Sequence, residues 1–312
     1  MPEASGEATD LMPSDFLSTV LARLRVTRDG PSPQLESRSG AGVQVVRTVD
    51  GQPAYLKVTP STLDPAAVQA ARRELRFYRE VAPFAPVHTP MLLDAVDDAD
   101  GVAVLLEAAG ETRPPGAWTA GLWSELGCAL ARLHGMPVPS GADWDRPDPV
   151  REAMADPDVD SLRVFWSSSL PQLSEILARR VTLWEQLSAL PPVFIHGDCH
   201  TENLPVLSGK LVFCDWQVSG LGRPTTDLAF LSVRAVPHGA DVPSVFLEAY
   251  LAGRSDDPRM MRRAVVAEEL AFFVFLWPPY AVFNDARAVA RARQRTRRLA
   301  QRWLADSVDD AD

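Results

Sequence analysis

The chain has 312 residues, 46% hydrophobic and 23% charged, the makeup of an ordinary folded protein able to bury a sizeable core in one large domain or two smaller ones. A formal charge of −10 argues against a general nucleic-acid binder and favours cationic ligands, and three cysteines, Cys128, Cys199 and Cys214, make no disulfide framework. The acidic start MPEASGEATD lacks the features of a signal peptide and the most apolar run, Leu270 to Trp277, is too short to span a bilayer, so a cytoplasmic protein with neither nucleic-acid nor membrane partners is expected.

Residues 1–34 read as a polar tail and a short helix from Asp15 to Leu24, with Phe16, Leu17, Val20, Leu21 and Leu24 at helical spacing. Ser37 to Val58 reads as strand, turn and strand, with Asp50-Gly51 as a hairpin signal and an earlier turn at Ser39-Gly40-Ala41-Gly42. Only two of the 31 basic residues are lysine, Lys57 and Lys210. A lysine kept under that bias marks a place where arginine does not serve. Lys210 falls in a turn; Lys57 falls in the alternating stretch Ala54 to Val58, where the competing reading is a solvent-facing strand lysine. Pro65 to Val81 reads as a helix burying Val68, Leu75 and Tyr78, with Glu74 set among arginines. Met91 to Val96 and Val102 to Leu106 form a hairpin across an acidic turn.

From Trp118 the pattern turns helical. Leu122 to Leu133 is amphipathic, Pro137 to Asp160 reads as an irregular insertion, and Leu170 to Leu190 as one long helix. Ser244 to Leu251, Pro258 to Trp277 and Ala286 to Ala305 supply further helices. Strands first and helices later is the α+β arrangement.

The densest chemistry lies between Val193 and Asp215. Val193-Phe194-Ile195 and Leu211 to Cys214 read as two strands around a loop carrying His196, Asp198, His200, Glu202 and Asn203, and Asp215 closes the second strand. Phosphoryl transfer from a nucleotide needs metal ions on the phosphates and a carboxylate on the attacking hydroxyl. Asn203 and Asp215 offer hard oxygens for magnesium, leaving Asp198 free for the hydroxyl. A rival reading takes His196, Asp198 and His200 as zinc ligands of a metallohydrolase.

Asp198 and Asn203 stand five apart and Asp215 follows twelve later, an order that resembles the catalytic loop and metal-binding aspartate of the aminoglycoside phosphotransferase and choline kinase family. Leu-Ala-Arg-Leu-His at 130–134 and WQVSGLGRPTTDLAFL after Asp215 resemble it again. The resemblance covers residues 37 to 235 by motif. It implies a two-lobed protein-kinase-like fold, with residues 1–106 as a small antiparallel-sheet nucleotide-binding lobe and 107–312 as hinge and larger, mostly helical lobe. It implies that Lys57, paired with Glu74, contacts nucleotide phosphates under a loop holding Gly40 and Gly42, and that the Leu106 carbonyl and Ala108 amide hold the base. His196 and Asp227 are then structural supports of the loop, His134 is structural, and His200 faces solvent.

The activity implied is transfer of the γ-phosphate of ATP or GTP, with Mg2+, to a hydroxyl of a small molecule. Family members act on aminoglycosides, macrolides, peptide antibiotics, choline and sugars, so antibiotic inactivation is one expectation among these. A kinase-like binding protein without catalysis is the remaining alternative. For the acceptor, Glu268 and Glu269 are expected to give an acidic mouth that binds a polyhydroxylated or amine-bearing molecule, against the alternative that both are solvated. The sequence carries no reading of oligomeric state.

Overall fold

A computed structural model describes residues 14–29, 35–36, 42–139 and 144–306. The chain divides into two units, one of residues 1–83 and 90–108 and one of residues 84–89 and 109–312.

The first unit is built on one antiparallel sheet. Helix α1 (Ser14–Arg23) precedes strands β1 (Thr27–Arg28), β2 (Leu35–Glu36), β3 (Gly42–Arg47) and β4 (Pro53–Pro60); helix α2 (Pro65–Glu80) follows, then β5 (Leu92–Asp97) and β6 (Gly101–Glu107). The strand order is β1-β3-β4-β6-β5, with β2 also pairing β3. Alternation along β4 decides what each face carries. Ala54, Leu56 and Val58 are buried with Phe16, Leu17 and Val20 of α1. Lys57, one residue out of phase, therefore points to the other face, where α2 packs. Helix α2 starts at an Asp-Pro signal: Asp64 Oδ1 accepts the Ala66 amide at 2.8 Å and Pro65 takes the first helical position. Gly101 closes the β5–β6 hairpin at φ 149°, and a Cβ there would stand 2.5 Å from the Thr59 carbonyl oxygen, so only glycine fits.

The second unit is mostly helical. It comprises α3 (Ala120–Gly135), α4 (Pro149–Ala155), α5 (Val159–Trp166), α6 (Leu173–Ala178), α7 (Arg180–Leu187), the short strands β7 (Val193–Ile195), β8 (Val206–Leu207), β9 (Lys210–Leu211) and β10 (Gly220–Gly222), then α8 (Pro224–Ala235), α9 (Ser244–Ala252), α10 (Pro258–Ala271) and α11 (Ala286–Asp306). Trp166, Ile176, Leu183, Leu270, Phe273 and Trp303 are central to its core. No helix among the described residues is long and apolar enough to cross a membrane.

Three local expectations change. The single helix over Leu170 to Leu190 is two, because Arg179 leaves helical geometry at φ −101°, ψ 18°, with its guanidinium 5.1 Å over the Trp303 ring. The insertion at Pro137 to Asp160 contains α4 and the start of α5. Two of its aspartates are caps: Asp148 and Asp158 accept the amides of Arg151 and Ser161 at 3.2 and 3.1 Å. The strand read at Leu211 to Cys214 is only Lys210–Leu211 (β9), which pairs β8 across the Ser208-Gly209 turn, while β7 pairs with β10, Gly220 opposite Ile195. Gly222 belongs to this pairing because a Cβ there would meet Ile195 Cδ1 at 2.5 Å.

Helices α3 and α9 pack at Gly127, where an added Cβ would lie 2.2 Å from the Phe246 carbonyl oxygen. The obstacle is backbone, which cannot rotate away. We predict that Gly127→Ala destabilises the protein by about 1–3 kcal/mol, the usual range for forced overpacking, as read by urea unfolding. An unchanged midpoint would mean that the two helices separate at no cost.

Candidate active site

The polar loop hangs from one buried carboxylate. Asp227, in the first turn of α8 and fully buried, accepts the His196 amide on Oδ2 and the Gly197 amide on Oδ1, both at 2.8 Å. Its Oδ2 also takes a hydrogen bond from His134 Nε2 at 3.1 Å, and the Tyr250 hydroxyl meets His134 Nδ1 at 2.9 Å. A carboxylate only accepts, so the His134 proton on this side sits on Nε2. Burial pushes the Asp227 pKa up, but the His134 hydrogen bond and charge, His196 and the Gly197 amide outweigh it and hold the acid below its ordinary range.

His196 continues the chain of contacts. Its Nε2 donates to the Cys214 carbonyl at 2.8 Å, and its Nδ1 accepts the Asp198 amide at 3.3 Å. Burial holds its pKa low against the pull of Asp227 and Asp198, so the ring is neutral. Both ring nitrogens are spent. This is the physical reason against the zinc reading, and no three-residue His, Cys, Asp or Glu metal cluster exists among the described residues. His200 does not face solvent either. It is 6% exposed, with Nε2 3.6 Å from Asp198 and Nδ1 3.5 Å from Glu202.

Asp198 is partly buried. Burial raises its pKa, yet the His200 hydrogen bond and charge, with His196 and Arg234, bring it down to about 2. The Asn203 side chain clamps it: Nδ2 donates to the Asp198 carbonyl and to Oδ2, both at 3.0 Å. Two acceptors fix the amide orientation, so Asn203 Oδ1 is the atom left for a cation. The Cys214 amide in turn donates to the Asn203 carbonyl at 3.0 Å, which sets Asp215 next to this turn. Asp215 itself has φ 66°, a left-handed conformation that costs a non-glycine residue energy and is typical of functional positions. Asn203 Oδ1 and the Asp215 carboxylate are hard oxygen donors, the ligand type that magnesium prefers.

In the first unit, Lys57 Nζ lies 2.7 Å from Glu74 Oε1, with Glu74 1% exposed. Leu106 is buried in β6 opposite Tyr55, and Ala108 is the last residue of that unit. Gly42 is not in a turn but opens β3, opposite Val58. Gly40 lies outside the described residues.

The acidic mouth expected from Glu268 and Glu269 is absent. Glu268 is 0% and Glu269 3% exposed, so they are neither cleft-facing nor solvated. Glu268 receives Arg223 through two 2.8 Å hydrogen bonds and the hydroxyls of Thr225 and Thr226. Glu269 receives Arg295 and Ser232. Each acid closes an ion pair between helices. Arg223, which also pairs with Asp148, was not singled out from sequence, and its place just before the first residue of α8 gave no sign of it.

A family model, that of the phosphotransferase enzyme family, matches residues 35–263. No curated protein matches the chain. Among solved structures, a choline/ethanolamine kinase family protein from Mesorhizobium loti is 25% identical, covering 91% of this chain and 93% of its own, with TM-score 0.60. An amicoumacin kinase in complex with AMP-PNP, Ca2+ and Ami is 15% identical, covering 93% and 94%, with TM-score 0.60. An aminoglycoside phosphotransferase from Alicyclobacillus acidocaldarius is 16% identical, covering 98% of each, with TM-score 0.58. The fold is thus the two-lobed protein-kinase-like one, with a small antiparallel-sheet lobe and a larger helical lobe.

Because Asp227 titrates lower in the folded chain than in the unfolded one, its stabilisation is complete above the ordinary carboxylate value and drains as pH falls through the folded value. We predict that Asp227→Asn costs about 3 kcal/mol at neutral pH, the low end for breaking a buried charged network. Urea unfolding should show the gap to wild type narrowing as pH falls below the ordinary carboxylate range. A gap independent of pH would contradict the assigned charge.

Proposed function

Since the chain belongs to the phosphotransferase enzyme family, we propose that it is a small-molecule kinase that moves the γ-phosphate of a nucleoside triphosphate to a hydroxyl of its acceptor. The observation that carries this reading is the Asn203 clamp on Asp198, which holds the carboxylate in one orientation and leaves an amide oxygen for a metal ion. Asp198 is the catalytic residue. With its pKa near 2 it is a weak base, so its part is to hold the acceptor hydroxyl in line by a hydrogen bond. The hydroxyl proton passes to Asp198 only as the new P–O bond forms and the old bond to the β-phosphate oxygen breaks, which releases the nucleoside diphosphate.

Asn203 and Asp215 hold magnesium, which when bound supplies charge neutralisation at the phosphates. Lys57, kept as a compact ammonium and fixed by Glu74, contacts the phosphates. The Leu106 carbonyl and Ala108 amide take the base by main-chain hydrogen bonds. His196 and Asp227 act through the loop and touch no reacting atom. Support for nucleotide and divalent metal also comes from the amicoumacin kinase, whose complex holds AMP-PNP and Ca2+. The proposed division of labour gives residues 1–106 to the nucleotide and 107–312 to catalysis and acceptor.

Asp198→Asn keeps the shape and removes the charge, and its turnover should fall about a hundred- to ten-thousand-fold with nucleotide affinity little changed. Near-normal turnover with the true acceptor would remove Asp198 from the chemistry. Asp215→Ala should weaken nucleotide binding only in the presence of Mg2+, measured by titration with and without the metal. If magnesium strengthens binding to this variant as it does to wild type, Asp215 is not a ligand.

A further inference from the structure

A cavity of about 480 Å3, the size of a small-molecule site, opens within the second unit beside the catalytic turn. One wall is the segment from Thr112 to Gly116. Another is His200, Thr201 and Glu202, and Arg234 and His238 close it. The His200 ring lines the cavity and its Nε2 stands 3.6 Å from Asp198 Oδ2, so the cavity lies within one residue of the catalytic carboxylate.

The charges in this cavity do not follow the chain as a whole. Arg234 is 2.6 Å from Glu202 and the two cancel. His200 is engaged by Asp198 and Glu202. The Arg113 guanidinium is exposed and meets no hydrogen-bond or ion-pair partner among the described residues, and His238 is exposed beside it as a second unengaged ring. Arg113 thus supplies an uncompensated positive charge, on a protein whose formal charge is −10. Its backbone is held: the Trp118 indole donates to the Arg113 carbonyl at 3.1 Å, and Pro114 and Pro115 follow it. A guanidinium on a stiff main chain is suited to a planar, two-point grip on a carboxylate or a phosphate.

We propose that this cavity is the acceptor subsite, that the acceptor carries an anionic group, carboxylate or phosphate, besides the hydroxyl that is phosphorylated, and that Arg113 selects it. The inference rests on the small-molecule kinase reading and names the substrate class of that same site. It replaces the amine-bearing acceptor that Glu268 and Glu269 would have implied, since those acids are buried and paired.

The test is phosphate transfer from nucleotide with Mg2+ to a panel in which each hydroxy acid and each sugar phosphate is matched to a neutral and an amine-bearing compound of the same skeleton. The anionic members should be turned over at least about tenfold more efficiently, and the two anionic arms tell carboxylate from phosphate. Arg113→Gln should raise the KM of the preferred acceptor about ten- to a hundredfold, the loss of one charged two-point contact, with kcat and the nucleotide KM moving far less. Arg113→Lys should recover part of the loss, because charge returns without the fork. Two results overturn the proposal and leave the kinase reading standing: nucleotide turned over with neutral or amine-bearing acceptors preferred, or an Arg113→Gln enzyme with an unchanged acceptor KM. Absence of magnesium-dependent nucleotide binding would instead sink both.

Discussion

The site depends on a buried carboxylate doing what a strand ladder would ordinarily do. Strand β7 is three residues long, so the chain leaves it with amides that no neighbouring strand can take up. Asp227 accepts two of them, at His196 and Gly197, and is tied through His134 to Tyr250 on α9. Three helices, α3, α8 and α9, thereby converge on the root of one loop. A catalytic group on a loop is only as well aimed as that root.

From this anchor the remaining contacts form a closed circuit. His196 reaches across to the Cys214 carbonyl, the Cys214 amide reaches back to the Asn203 carbonyl, and Asn203 grips Asp198. Each bond fixes the next polar group, and none of them uses Asp198 Oδ1 or Asn203 Oδ1. Neutral His196 suits this work, because an imidazolium there would lose the Nδ1 acceptor for the Asp198 amide. Elsewhere in the second unit, buried acids serve architecture. Glu268 and Glu269 lock α10 to Arg223, α8 and α11.

Much of this was legible from residue order. Asp198, Asn203 and Asp215 sit at spacings that chemistry constrains, and Lys57 stood out because arginine is used almost everywhere else. Its pairing with Glu74, implied by the family resemblance, is met at 2.7 Å on the face of β4 that alternation turns toward α2. What was not legible depends on contacts distant in sequence. An adjacent glutamate pair reads as surface until Arg223 and Arg295, 45 and 26 positions away, are known to meet it. Strand β7 could not name its partner, since three residues carry too little pattern and its partner is glycine-rich. Two aspartates of the insertion, Asp148 and Asp158, read as loop composition although each caps a helix. The free charge at Arg113 emerges only once Glu202 is seen to cancel Arg234.

The central claim, that one hydrogen-bonded loop holds the metal for phosphoryl transfer, can be tested by locating the metal. Crystals grown with a non-hydrolysable nucleoside triphosphate analogue and Mn2+ in place of Mg2+ would show the ion by its anomalous signal. The account predicts a peak within coordination distance of Asn203 Oδ1 and the Asp215 carboxylate, with Asp198 uncoordinated and still clamped by Asn203. A nucleotide bound with its metal elsewhere, or Asp198 taking the ion, would contradict it.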